Sequence, residues 1–173
     1  LRAAVSEEVR RCGPAFAAVH VRRTDLFTAL PVEKHTTDAD FDAFVDRHAA
    51  PCAVYIAADN AESQRRLRER CGARARTHKP IAPRGSLRQT GLHHAVVDLF
   101  TCAAATEGFR GSFGSSFSDA IRSLRVAHGR ASMAEHRPPA GGGGGGGGGE
   151  GWVSPPPGAP RAPPVPDRPA VAA

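Results

Sequence analysis

With 173 residues, 40% of them hydrophobic, the chain has room for one domain of ordinary size. Its net charge of +6 arises from 21 arginines and two lysines against 17 acids, which weakly favours an anionic partner without naming one. No apolar run approaches the roughly 20 residues of a membrane-spanning helix. The four cysteines form no Cys-x-x-Cys pair, which argues for buried thiols over a zinc site, with a single disulfide as the other reading.

In chain order, the opening residues read as a helix entered midway, so a piece of a longer protein is expected. Residues 15–21 are an apolar run of strand type that ends in His20, Arg22, Arg23, Thr24 and Asp25. In open α/β sheets ligands sit at that end of a strand. Two adjacent guanidiniums there suggest an anionic ligand such as phosphate. Side chains alternate along an extended segment, so one arginine faces the ligand and the other pairs with Asp25 or an acid elsewhere. His20 and Arg22 share a face.

Phe41, Phe44, Val45 and His48 fall at i, i+3, i+4 and i+7, which predicts a helix over 37–49 capped by Thr37 or Asp38. Residues 53–57 read as a second buried strand. A charged helix over 61–71 is closed by Gly72, with Arg65, Arg66, Arg68 and Arg70 on its solvated face. A weak strand over 73–77 and a polar loop through Thr90 come next. Val96, Leu99, Phe100 and Ala103 mark an amphipathic helix. Asp98 within that helix either has a partner, since unpaired burial is costly, or sits on the polar side.

A strand over 108–112 then leads into a helix over 116–127, with Phe117, Ala120, Ile121 and Leu124 inward. The joining stretch, Gly111-Ser112-Phe113-Gly114-Ser115-Ser116-Phe117-Ser118-Asp119, has two readings. One is an anion seat of glycines, hydroxyls and helical N–H groups. The other is an ordinary helix start with Ser116 as N-cap and Asp119 as its capping-box acid. It matches neither the Walker loop nor the dinucleotide glycine pattern. The strand–helix alternation argues for a Rossmann-like α/β domain over residues 1–130, a parallel sheet with helices on both faces. Residues 131–173, with nine glycines at 141–149 and prolines at 155–157 and 163–164, read as a disordered Gly/Pro-rich tail.

Three segments in order carry a family likeness: His20-Val21-Arg22-Arg23-Thr24-Asp25; Val54-Tyr55-Ile56-Ala57-Ala58-Asp59-Asn60; and Val96-Val97-Asp98 with Gly114-Ser115-Ser116-Phe117-Ser118. They resemble the donor-binding lobe of GDP-fucose-dependent fucosyltransferases, the α-1,6 enzymes with their bacterial nodulation relatives and the protein O-fucosyltransferases. The likeness spans residues 15–127. It implies one lobe of a GT-B enzyme that transfers fucose with inversion, with no cofactor and no required metal.

By that likeness Arg22 contacts the β-phosphate, and His20 and Asp98 meet guanine. Ser115 and Ser116 hold the diphosphate, and Asp59 and Asn60 match an acidic pair needed for activity. Arg23, Asp25, Gly114, Phe117 and Ser118 complete the donor-binding set. The counterpart of the family's catalytic glutamate is Glu33, across a longer loop in which Leu26-Phe27 replaces a polar neighbourhood. The likeness also implies a glycan or glycoprotein acceptor, an N-terminal lobe outside this chain, and a Golgi or other secretory lumen; no nucleic acid is expected. The alternatives are a non-catalytic nucleotide-sugar-binding module and a basic nucleic-acid-binding protein.

Overall fold

The computed structural model describes residues 1–48, 52–81 and 90–131. Apart from Ala131, the expected tail lies outside them, as does most of the polar loop before Thr90. Helix α1 (Arg2–Cys12) precedes strand β1 (Phe16–Val21), a one-turn helix α2 (Leu26–Ala29) and helix α3 (Asp38–Arg47). Strand β2 (Ala53–Ala58), helix α4 (Ala61–Cys71) and the two-residue strand β3 (Ala75–Arg76) come next. Helix α5 (Leu92–Ala104), strand β4 (Gly108–Gly111) and helix α6 (Ser116–Ala127) complete the described chain.

The four strands are parallel in the order β3-β2-β1-β4. Every residue of β1 and β2 is buried, the continuous apolar pattern of strands covered on both faces. Odd and even positions feed separate cores. Val19, Val21, Val54 and Ile56 pack with Phe41 and Val45 of α3 and Leu67 of α4. Phe16, Ala18, Tyr55 and Ala57 pack with Cys12 of α1, Cys102 of α5 and Ile121 of α6. The result is a Rossmann-like α/β sheet with helices on both faces.

Local signals fix most ends. Thr37 caps α3 in a reciprocal box with Asp40. Asn60 caps α4 by accepting from the Ser63 N–H at 2.9 Å, and Gly72 closes it at φ 56°. The inner face of α5 differs from the expected one: Val97, Asp98, Thr101, Cys102 and Ala103 are buried, whereas Phe100 is 40% exposed. That helix is apolar around most of its circumference, so spacing alone does not choose the face. In α6, Ser118 and Arg125 turn inward beside Ile121.

The chain crosses from β1 to β2 to β3 over the α3/α4 face, then returns through α5 on the opposite face to lay β4 against the other side of β1. The strand order therefore reverses at β1, and the carboxyl end of such a strand is where ligands of open α/β sheets bind. Gly111 lets α6 close onto β4 there: a Cβ at this position would lie 2.6 Å from both Cβ and Oγ of Ser118.

Candidate functional site

The parity of β1 continues past its end. His20 points toward α6 with the second core, Arg22 follows it to that side, and Arg23 turns to the α3/α4 side. Two clefts result. One, of about 480 Å³, is lined by His20, Arg22, Asp59, Asp98, Ser116 and Phe117, with Leu92, Ala95 and Ala120 as an apolar wall. The other, of about 910 Å³, is lined by Arg23, Thr24, Asp38, Asn60 and the first turns of α4.

In the smaller cleft, His20 is 5% exposed. Its Nδ1 lies 2.8 Å from Ser118 Oγ, and its ring packs on Phe117 with centroids 4.6 Å apart. Burial drives its pKa down to about 3, against the pull of Asp59, so the imidazole is neutral at physiological pH.

Arg22 is held at both backbone and side chain. Its N–H donates to Ser112 Oγ at 2.8 Å, which ties the end of β1 to the segment after β4. Its Nε and Nη2 donate to the two oxygens of Asp25 at 2.8 and 2.6 Å, and Asp59 stands 3.7 Å from Nε. Donating to Asp25 raises the guanidinium pKa further. Among the described residues nothing accepts from Nη1, which leaves donors for a ligand. Arg23 instead pairs with Asp38 and lies over the Phe41 ring. Asp25 thus belongs to the arginine of the smaller cleft, and Arg23 takes the acid from elsewhere.

Asp59 organises this corner from within. Its carboxylate accepts from the N–H groups of Arg23 at 3.1 Å and Thr24 at 3.0 Å, from Thr24 Oγ1 at 2.7 Å and from Asn60 Nδ2 at 2.7 Å. A carboxylate so committed fixes the β1 loop against the start of α4. Asn60 spends its own oxygen on the α4 cap.

Asp98 resolves in favour of a partner: it is 8% exposed, and Tyr55 Oη donates to its Oδ1 at 2.7 Å. Burial pushes its carboxyl up to about 7, opposed by that hydrogen bond. Its neighbour Tyr55 is wholly buried, and its phenol is raised far above the ordinary range by desolvation first and Asp98 next.

At the start of α6 the N-cap is Ser115, not Ser116: Ser115 Oγ accepts from the Ser118 N–H at 3.4 Å. Asp119 pairs with Arg122 at 2.7 Å and takes no part in a capping box. The one-residue shift goes with Gly114, whose φ of 71° turns the chain and where a Cβ would lie 2.6 Å from Leu30 Cδ1. Ser116, released from capping, is exposed on the first helical turn and lines the cleft.

The structure thus gathers His20, Arg22, Asp59, Asp98, Ser116 and Phe117 at one cleft. It places Arg23 and Asn60 at the other. Asp25, Gly114, Ser115 and Ser118 support the smaller cleft from behind. Glu33 sits exposed on a short 3-10 turn, Val32–Lys34, and lines neither cleft. Sequence reasoning missed Tyr55, Thr24 and Ser112 as members of this apparatus. Tyr55 carried a usable signal, because a tyrosine in an otherwise alanine- and valine-rich buried strand needs a partner for its hydroxyl.

The arrangement suits a ligand with a flat ring bearing N–H donors at one end and an anion at the other. Phe117 and the apolar wall would face such a ring, Asp98 offers an acceptor, and Arg22 with Ser116 offers donors for an anion. All four cysteines are free thiols, and no group of three His, Cys, Asp or Glu among the described residues is arranged to hold a metal ion. No helix among the described residues is long and apolar enough to cross a membrane. No protein-family model matches the chain, and no curated protein matches it.

Proposed function

We propose that this domain binds GDP-fucose and is the donor-binding half of a fucosyltransferase. The observation that carries the reading is the meeting of His20, Arg22, Asp98 and Ser116 in one cleft at the carboxyl end of β1, the strand at which the order reverses. Those residues come from the three segments that resemble the fucosyltransferase lobe. Guanine fits the acceptor at Asp98, since its ring N–H and amino group are adjacent donors. Neutral His20 adds a hydrogen-bonding nitrogen without a repelling charge, and Phe117 offers a ring to pack against.

The reaction this site would serve joins the acceptor oxygen to the anomeric carbon of fucose as the bond from that carbon to the β-phosphate oxygen breaks. The electron pair leaves with GDP, and the acceptor proton passes to a base. Arg22 then neutralises the charge that builds on the departing diphosphate, with the first N–H groups of α6 and Ser116 assisting. Removing one preorganised donor of this kind costs about 10²–10³ in rate.

Calorimetry with GDP and GDP-fucose tests the reading. Both ligands are expected to compete for one site, and Arg22→Ala is expected to weaken binding of each by about 100-fold; undiminished affinity in that variant overturns the assignment. A second reading, nucleotide-sugar binding without transfer, is favoured by the place of Glu33 outside both clefts. GDP-fucose that binds tightly yet is neither hydrolysed nor transferred supports it. The nucleic-acid alternative is disfavoured because Arg66 and Arg70 face acids of α3. Steeply salt-dependent RNA binding that GDP does not displace is the result that favours it.

A further inference from the structure

Tyr55 is the single tyrosine of the chain, and its hydroxyl lies beneath the floor of the cleft with Asp98 Oδ1 at 2.7 Å. A buried carboxylate that accepts one strong hydrogen bond loses its rotational freedom. Among the described residues nothing donates to Asp98 Oδ2, while Asp98 itself lines the cleft. We propose that Tyr55 is the positioning residue for base selection: it fixes one oxygen of Asp98 and so presents the other as an acceptor to a base edge that offers N–H donors, excluding an edge that offers a ring acceptor. This inference rests on the nucleotide reading of the cleft given above.

The selectivity has two parts. An ionised, oriented carboxylate receives the adjacent donors of guanine. The same carboxylate repels the ring acceptor on the matching edge of adenine, which only a protonated carboxyl, turned to donate, could satisfy. Tyr55 opposes that state twice, by holding the rotamer and by stabilising the ionised form. Its hydrogen bond works against burial, which pushes Asp98 up to about 7. Other charges facing the pair are Glu8 of α1, which raises Asp98, and His78 after β3, which lowers it. His20, Arg22 and Asp59 share the cleft.

The test is Tyr55→Phe, which keeps the ring and removes the donor. GDP affinity is expected to fall about tenfold, since a hydrogen bond to a charged group is lost. The preference for GDP over ADP narrows, most of all below pH 7, and the pH midpoint of GDP binding moves up. Equal affinities and an unmoved midpoint overturn the proposal. Should the unsubstituted protein bind neither nucleotide, the nucleotide reading fails on its own. The Asp98 carboxyl followed by NMR in the ligand-free protein then decides about Tyr55: an upward shift in Tyr55→Phe supports positioning, and no shift refutes it. Should Tyr55→Phe not fold, the ultraviolet signal of Tyr55 in the unsubstituted protein decides. It is expected to change as Asp98 titrates, and a flat signal from about pH 5 to 9 overturns the proposal.

Discussion

Two clefts open at the carboxyl ends of β1 and β2, one on each face of the sheet, and they handle charge in different ways. The larger one pairs three of its four lining arginines, Arg23 with Asp38, Arg66 with Asp38 and Asp42, Arg65 with Glu69, and leaves the fourth, Arg68, exposed to solvent. The smaller one keeps polar groups under desolvation, with His20 driven down and Asp98 driven up. Displaced titration inside a cleft is a pattern that functional sites concentrate, whereas exposed ion pairs are typical of a solvated flank. Size misleads here, because the roomier cleft has the less available chemistry.

The sharpest way to break the comparison is to remove each neighbouring arginine in turn. Arg22→Ala is expected to weaken GDP binding by about 100-fold, as a charge-assisted contact to the ligand disappears. Arg23→Ala is expected to change GDP affinity less than about threefold and to cost about 1 kcal/mol of stability through its pair with Asp38. Calorimetry and urea unfolding on both variants read the contrast. Equal losses of affinity would erase the distinction between the faces.

The next effect concerns pH. In an unfolded chain the imidazole takes up its proton near pH 6.5 and the carboxyl releases its own near 3.8. In the fold, His20 stays neutral down to about 3 and Asp98 stays protonated up to about 7. Between 3.8 and 6.5 the folded state therefore binds one proton fewer at His20 and one more at Asp98, and the two slopes cancel. Asp98→Asn unmasks His20, so stability rises with pH across that window by up to about 1.4 kcal/mol per unit. His20→Gln unmasks Asp98, so stability falls as pH rises toward 7 with a similar slope. Urea midpoints at stepped pH measure both. Slopes of the same sign in the two variants would show that these groups are not desolvated as a pair.

Elements bounded by strong local chemistry were legible in the sequence. Helix α4 runs from after Asn60 to before Gly72 as read, and α6 spans the residues expected, because caps and glycines act within a few positions. The parity of β1 was legible too, since period-two alternation correctly put His20 and Arg22 on one side. What the sequence left open depended on distant partners. Asp98 faces inward because Tyr55, 43 positions earlier, supplies a donor. Asp59 organises the β1 loop through Thr24, 35 positions before it. The choice of Ser115 over Ser116 as cap went with the backbone angle of Gly114, in a stretch where serines at 112, 115, 116 and 118 all offered hydroxyls. Glu33 has no cleft to face because the segment that carries it folds into its own exposed turn.

A packing change comes third. Gly111→Ala drives a methyl into Ser118, whose Oγ is already engaged with Nδ1 of His20. Overpacking of this kind costs about 1–3 kcal/mol. The displaced α6 carries Ser116 and Phe117 with it, so the smaller cleft should lose GDP affinity while the Arg23 side is untouched. A variant that unfolds at the unsubstituted urea midpoint would show that α6 has slack against β4.

The smallest expected effect lies on the opposite face. Arg66 meets Asp42 at 2.9 Å and Asp38 at 3.2 Å, and Arg70 meets Asp46 at 2.6 Å, so α4 is laced to α3 by cations that sequence alone presented as a solvated stripe. Both arginines remain substantially exposed, at 30% and 45%, where water screens the attraction. Arg66→Ala is therefore expected to cost less than about 1 kcal/mol, and about 1 M salt should remove most of that difference. Since this pairing lies across the sheet from the desolvated cleft, GDP affinity should not follow it. A loss of affinity that tracks the salt-sensitive loss of stability would mean that the two faces communicate through the α4 end of Asp59 and Asn60, and the separation argued from Arg22 and Arg23 would have to be redrawn there.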